Sequence, residues 1–159
     1  GERIAALKKR AKAARIPVVY INDNFGRWQS DFRRLIQHCL EDGVPGEPLV
    51  RMLVPDDDDY FVLKPKHSAF FATTLDTLLA YLGAKTLILT GIAGNICILF
   101  SANDAYMRDY HLVVPSDCVI SNTAEDNAYA LQQIEKVLKG DIRSSTELDL
   151  DELIARAAG

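Results

Sequence analysis

Residues 89–106, LTGIAGNICILFSANDAY, carry one thiol, Cys97, just past an apolar run that a glycine breaks and just inside the helix expected to follow. Early in a helix, a sulfur lies among backbone N–H groups that lack intrahelical partners, at the positive end of the macrodipole. Such surroundings favour the thiolate, which is the nucleophilic form. A free cysteine is also among the most buried residue types and packs as a small hydrophobe. That second reading is given to Cys39 and Cys118, whereas for Cys97 both stay open. Other chemistry-bearing residues are fewer. Arg27 and Trp28 offer a cation and a flat apolar wall to a small ligand. Asp56 to Asp59 is a like-charge run, best read as a solvated turn because adjacent carboxylates repel unless a cation joins them. His38 and His111 read as surface or strand-end residues, and His67 stands beside Lys64 and Lys66.

The elements that must position these groups alternate. Residues 2–14 space Ile4, Leu7, Ala11 and Ala14 as one helix face, and Pro17 ends the run. Residues 17–22 form a β-branched and aromatic run feeding the turn-prone Asp23-Asn24-Phe25-Gly26. A helix is expected over 30–40, a loop over 43–55, strands over 60–63, 86–90 and 111–114, and helices over 73–82, 95–108, 123–138 and 149–158. Gly83 caps the helix over 73–82, and a Thr123-x-x-Asp126 pair opens the one at 123. Apolar strands alternating with helices define a parallel sheet covered on both faces. The expectation is a single three-layer α/β/α Rossmann-like domain over 1–159 with a mainly parallel sheet. Ligands of such sheets gather beyond the carboxyl ends of the strands, here 22–28, 63–70 and 91–97. Those segments contain Asn24, Arg27, Trp28, Lys64, Phe70, Ala93 and Cys97.

Composition removes several classes. A chain of 159 residues that is 48% hydrophobic suits one domain with a proper core. A net charge of −4 and a pI near 5.3 give no basic footprint for nucleic acid, and the run Lys8 to Lys12 reads as the wet face of a helix. Three scattered cysteines suggest neither a disulfide framework nor a zinc site, which fits a reducing cytoplasm. No window reaches the roughly 18 consecutive apolar residues of a membrane span, and no signal peptide is visible. The segment Gly91-Ile-Ala-Gly-Asn-Ile96 lacks the glycine spacing of a dinucleotide-binding loop. Apolar residues in and after the cysteine helix, Leu99, Phe100, Tyr106, Met107 and Tyr110, exceed what one surface helix needs, so a dimer or tetramer is expected.

Two ordered motifs then resemble one known family. Thr90-Gly-Ile-Ala-Gly-Asn-Ile-Cys97 is similar to the nucleophile motif of the isochorismatase-like cysteine hydrolases, relatives of nicotinamidases and N-carbamoylsarcosine amidohydrolases, and Lys64-Pro-Lys-His-Ser-Ala-Phe70 is similar to their lysine motif. A turn at 22–28 matches a third. The resemblance implies that Cys97 is the nucleophile, that Lys64 rather than Lys66 stabilises its thiolate, and that backbone N–H groups of Ala93 and Cys97 form the oxyanion hole. It implies a cis peptide at Ile92–Ala93, contact of substrate with Asn24, Arg27, Trp28 and Phe70, a small amide or carbamoyl substrate, and homo-oligomers. No cofactor is expected, and no metal, because the histidines that nicotinamidases place after their second strand are absent. The family's aspartate belongs to a first strand that the given sequence does not contain. The natural chain is therefore expected to be longer, since losing that strand would open two edges inside a parallel sheet. Asp23 is a substitute carboxylate in principle, although its segment matches a different family position. The other reading of the same fold is a binding or scaffold member that has lost its chemistry.

Overall fold

The computed structural model describes residues 1–24, 31–41 and 43–158. Helix α1 (Glu2–Ala13) carries Glu2 in its first turn and Arg10 and Lys12 in its last, each sign at the end of the dipole that favours it. Its buried Leu7 and Ala11 are four residues apart and so lie on one face. Leu7 packs with Val113, Cys118, Leu148, Leu150 and Leu153, joining the two ends of the chain in one apolar cluster.

The strands pair in parallel, as expected, but in three separate ladders: β1 (Val19–Asp23) with β2 (Tyr60–Lys64), β3 (Thr86–Ile88) with β5 (His111–Val113), and β4 (Gly91–Ile92) with β6 (Val119–Ile120). Among the described residues no ladder joins β1 to β3. They meet through side chains, because Val19 and Ile21 pack against the core that holds Leu87. That core also takes Val62 of β2, Leu112 of β5, Ala102 and Ala105 of α5 (Leu99–Tyr106), and Ile134 of α6 (Ala124–Lys136).

Helix starts and stops follow local chemistry. The hydroxyl of Thr123 accepts the Asp126 N–H at 3.0 Å, which opens α6 as its sequence suggests. Helix α4 (Leu75–Tyr81) ends at Gly83, whose φ of +64° a side chain would resist. The chain closes with α7 (Leu150–Ala158).

Three features depart from the expectations. Within the segment expected to be a loop over 43–55, α3 (Glu47–Met52) forms, with Glu47 and a proline in its first turn and an Arg51–Glu47 pair at 2.7 Å along its face. Beyond α2 (Phe32–Glu41), this helix is too short to leave a periodic signal. The aspartate run is not merely a solvated turn: Lys8 Nζ lies 2.6 Å from Asp59 and 3.0 Å from Asp56, and Lys12 pairs with Asp58 and, at 2.9 Å, with Asp59. Consequently Lys8 and Lys12 are not a wet helix face, and the Asp59 side chain is 1% exposed. Helix and turn supply each other's counter-charge between residues that lie 44 to 51 positions apart in the chain, a pairing that composition alone does not show.

Candidate active site

The register of β1 and β2 sets Val19 opposite Tyr60, Ile21 opposite Val62 and Asp23 opposite Lys64. Side chains of a strand alternate between faces, so these three pairs share one face. Ile21 and Val62 belong to the core and its margin, and the charged pair closes that face at the carboxyl ends of the strands. Lys64 Nζ donates to Asp23 Oδ2 at 3.0 Å. It also lies 3.5 Å from Cys97 Sγ, within hydrogen-bonding reach of a sulfur. The Lys64 side chain is 5% exposed and that of Asp23 27%. Moving an ammonium out of water costs several kcal/mol, which an opposite charge must offset. Asn24 is buried, and its N–H donates to the Lys64 carbonyl at 2.9 Å, extending the ladder one residue past β1. Arg27 and Trp28 lie outside the described residues.

Cys97 reaches the same point from the other side. After β3 the chain turns at Gly91, with φ +120°, and the Ile92–Ala93 peptide is cis, as the resemblance implies. The Ala93 carbonyl accepts the N–H groups of Ile96 and Ile98, each at 3.1 Å, which curls the backbone into a wide π turn, Gly94–Ile98, before α5 begins. The helix expected over 95–108 is therefore a π turn that carries the half-buried thiol, followed by an α-helix. Single π turns of this kind recur at functional sites. Gly94 is needed for space: a Cβ there would come within 2.7 Å of Asn127 Oδ1 and 2.9 Å of Ser121 Oγ. Those two atoms brace the turn, since Ser121 Oγ accepts the Asn95 N–H at 3.0 Å and donates to Asn127 at 2.9 Å. Asn95 Oδ1 is buried with no hydrogen-bond partner among the described residues.

The segment after Lys64 fixes one half of the site to the other. Ser68 Oγ donates to Asp104 at 2.5 Å, and the Ala69 N–H donates to Ser101 Oγ at 2.9 Å. Ser101 and Asp104 are three residues apart on α5, the helix that continues from Cys97, so the far end of the lysine segment is tied to the thiol's own helix. Phe70, expected at the substrate, is 5% exposed and packed in the main core, with the Arg108 guanidinium 4.7 Å from its ring centroid and the Tyr110 ring 6.2 Å away. Lys66 and His67 are exposed, with the His67 ring 5.6 Å from Phe100.

Thus Asp23, Lys64 and Cys97 come together, with Ala93 at the turn beside them, and Phe70 stands apart in the core. The carboxylate is the member that sequence reasoning set aside. Its signal is the β1–β2 register, which no spacing within either strand reveals. Among the described residues, the one group of acid side chains close enough to share a metal ion is Asp56, Asp58 and Asp59, and the ammonium groups of Lys8 and Lys12 already lie there.

A thiol hydrogen-bonded to a buried ammonium beside a carboxylate, at the mouth of parallel strands, defines a class of site. A family model described as the isochorismatase domain matches residues 2–146. The chain belongs to the isochorismatase family. It is 46% identical over 145 residues to the isochorismatase family protein YaaI of Bacillus subtilis, covering 91% of this chain and 79% of that one. It is 32% identical over 139 residues to the ureidoacrylate amidohydrolase RutB of Methylorubrum extorquens, covering 73% of this chain and only 55% of that relative. Its fold matches the crystal structure of N-carbamoylsarcosine amidase from Thermoplasma acidophilum with a TM-score of 0.73 and 25% identity, over 93% of this chain and 83% of that one. No described helix is long and apolar enough to cross a membrane.

Proposed function

We propose that this chain is a cysteine hydrolase that cleaves a C–N bond in a small amide or carbamoyl compound. The observation that carries the reading is the 3.5 Å approach of Lys64 Nζ to Cys97 Sγ. A fixed positive charge beside a sulfur favours the thiolate. The thiolate attacks the substrate carbonyl carbon, and the oxygen takes up negative charge. Donors aimed at that oxygen are worth about 10²–10³ in rate each, and the backbone N–H groups of Ala93 and Cys97 are assigned that work. Collapse expels the amine, which takes with it the proton that the thiol gave up, and leaves an acyl thioester on Cys97. Water then attacks the thioester and returns the thiol. Two relatives whose names record amide substrates, the ureidoacrylate amidohydrolase and the N-carbamoylsarcosine amidase, support the substrate class. Asn24, Arg27 and Trp28 are assigned to substrate contact, and the site is assigned neither metal nor cofactor.

The test is release of ammonia or amine from a panel of small ureido, carbamoyl and carboxamide compounds, by the native protein and by Cys97→Ser. Turnover by the native chain alone is expected, together with faster labelling of Cys97 than of Cys39 or Cys118 by iodoacetamide. Labelling at equal rates, or turnover that survives Cys97→Ser, would overturn the reading. The protein is also proposed to be a cytoplasmic homo-oligomer. Phe100 and Tyr106 of α5 and the following Met107 are 50%, 44% and 63% exposed, while Leu99 and Tyr110 pack against the core. Light scattering at micromolar concentration is expected to give a dimer or tetramer, and a monomeric mass would exclude it.

A further inference from the structure

We infer that Asp23 is a positioning residue of this site: its carboxylate holds the Lys64 ammonium in place and aimed at Cys97. The inference rests on the reading of Cys97 as the nucleophile and adds to it a carboxylate from the end of β1.

Three observations meet here. First, the backbone brings the pair together, because Asp23 and Lys64 are register partners in a parallel ladder and the Asn24 N–H to Lys64 carbonyl bond holds the ladder closed beyond them. Second, the two ions are unequally buried, at 5% for the Lys64 side chain and 27% for that of Asp23. The lysine is cut off from water while the carboxylate keeps a path to it. The ammonium therefore depends on its partner more than the partner depends on it. Third, among the described residues the ionisable groups within hydrogen-bonding or ion-pairing reach of Lys64 are Asp23 at 3.0 Å and Cys97 at 3.5 Å. An ammonium has three N–H groups in tetrahedral directions, so a carboxylate that takes one of them restricts where the other two point. Without Asp23, the buried Lys64 ammonium loses the carboxylate that holds it and swings toward water. That movement removes the charge from beside the sulfur.

A purely electrostatic view makes the opposite prediction. If Lys64 stayed charged and in place, deleting a nearby negative charge would make the thiolate more favourable. The sign of the change therefore decides between the two.

The measurement is the pH profile of Cys97 alkylation by iodoacetamide, followed by mass spectrometry of the Cys97 peptide in folded protein. It reads the thiol directly and needs no substrate, so it stands even if the hydrolase reading fails. Asp23→Asn is expected to move the profile upward by about one pH unit and to lower the rate at neutral pH about tenfold. Asp23→Glu, which keeps the charge but displaces it by one methylene, is expected to fall between native and Asn. In a Lys64→Met background, Asp23→Asn is expected to change the rate less than about twofold, because its route to the thiol is gone. An unchanged or lowered profile in Asp23→Asn overturns the inference, and so does an undiminished effect in the Lys64→Met background. Should Asp23→Asn fail to fold, Asp23→Glu decides: a rate several-fold below native with native melting supports the inference, and a native rate overturns it.

Discussion

The protein holds two lysine–aspartate clusters, one half-exposed and one buried, that are built for different ends. Where α1 meets the turn before β2, the ammonium groups of Lys8 and Lys12 share three carboxylates, and Lys8 takes the Tyr20 hydroxyl and the Val54 carbonyl as well. Positive charge there is fully answered by oxygen. At the carboxyl ends of β1 and β2, the single ammonium of Lys64 has one carboxylate and one sulfur. The first arrangement spends its charge on holding two segments together. The second leaves part of its charge directed at a sulfur, the atom proposed to react. The number of acceptors around a lysine, more than its burial, separates a clamp from a site.

The largest test of this contrast removes the charge from each cluster in turn. Lys64→Met keeps most of the stem and deletes the ammonium, so hydrolysis is expected to fall on the order of 10²-fold or more, because a neutral thiol is a poor nucleophile. Stability is expected to change little, since the Asp23 side chain is 27% exposed and keeps access to water. Lys66→Met, two residues away on an exposed side chain, is expected to leave the rate within about twofold of native. If the two variants react alike, the division of labour between these lysines fails.

Asp59→Asn attacks the clamp and should give the mirror image. The Asp59 side chain is 1% exposed and receives both Lys8 and Lys12, so losing its charge is expected to cost about 2 kcal/mol in urea unfolding while turnover stays near native. A large loss of turnover at unchanged stability would show that the clamp is coupled to the site and would break the comparison.

What could be read from the sequence, and what could not, divides along the same line. Cys97 and Lys64 announce themselves through local patterns: a thiol after a glycine-broken strand, and a lysine four residues before Ser68. The alternation of helices with apolar strands carries the parallel pairing, and Thr123 carries the start of α6. Asp23 has no such pattern, because its partnership with Lys64 depends on a ladder register between segments 41 residues apart. The Asp56–Asp59 run is misleading for the same reason, since its counter-charges lie on α1, some 44 to 51 residues earlier. Phe70 lies in a segment that sits at strand ends, yet the Ser68 and Ala69 bonds to α5 turn its ring into the core beneath Arg108. Elements as short as β4, β6 and α3 fall below the length at which periodicity carries information.

The smallest expected effect concerns acid. Burial alone would push the Asp59 carboxyl up, but hydrogen bonds from Lys8, the Asp56 backbone and Lys12 outweigh it and hold that carboxyl below its ordinary value. Asp117 follows the same rule: burial raises it, and the Ser145 N–H with the Ser145 and Ser144 hydroxyls brings it down. In the folded chain both groups bind a proton less readily than in the unfolded chain, where carboxyls titrate near about 4. Unfolding therefore takes up protons once the pH falls into that range, so the stability these groups contribute is present above it and is lost as the pH drops through their lower folded values. Urea midpoints measured from neutral pH down to pH 3 or so are expected to fall in the native protein and to fall less steeply in Asp59→Asn, which has no carboxyl to protonate there. Lys64→Met should retain the native slope, since the clamp is untouched. An identical acid slope in native and Asp59→Asn would mean that the Asp59 carboxylate does not carry its share of the pH dependence, and that the other lowered carboxyls, Asp56, Asp117 and Asp141, carry it instead.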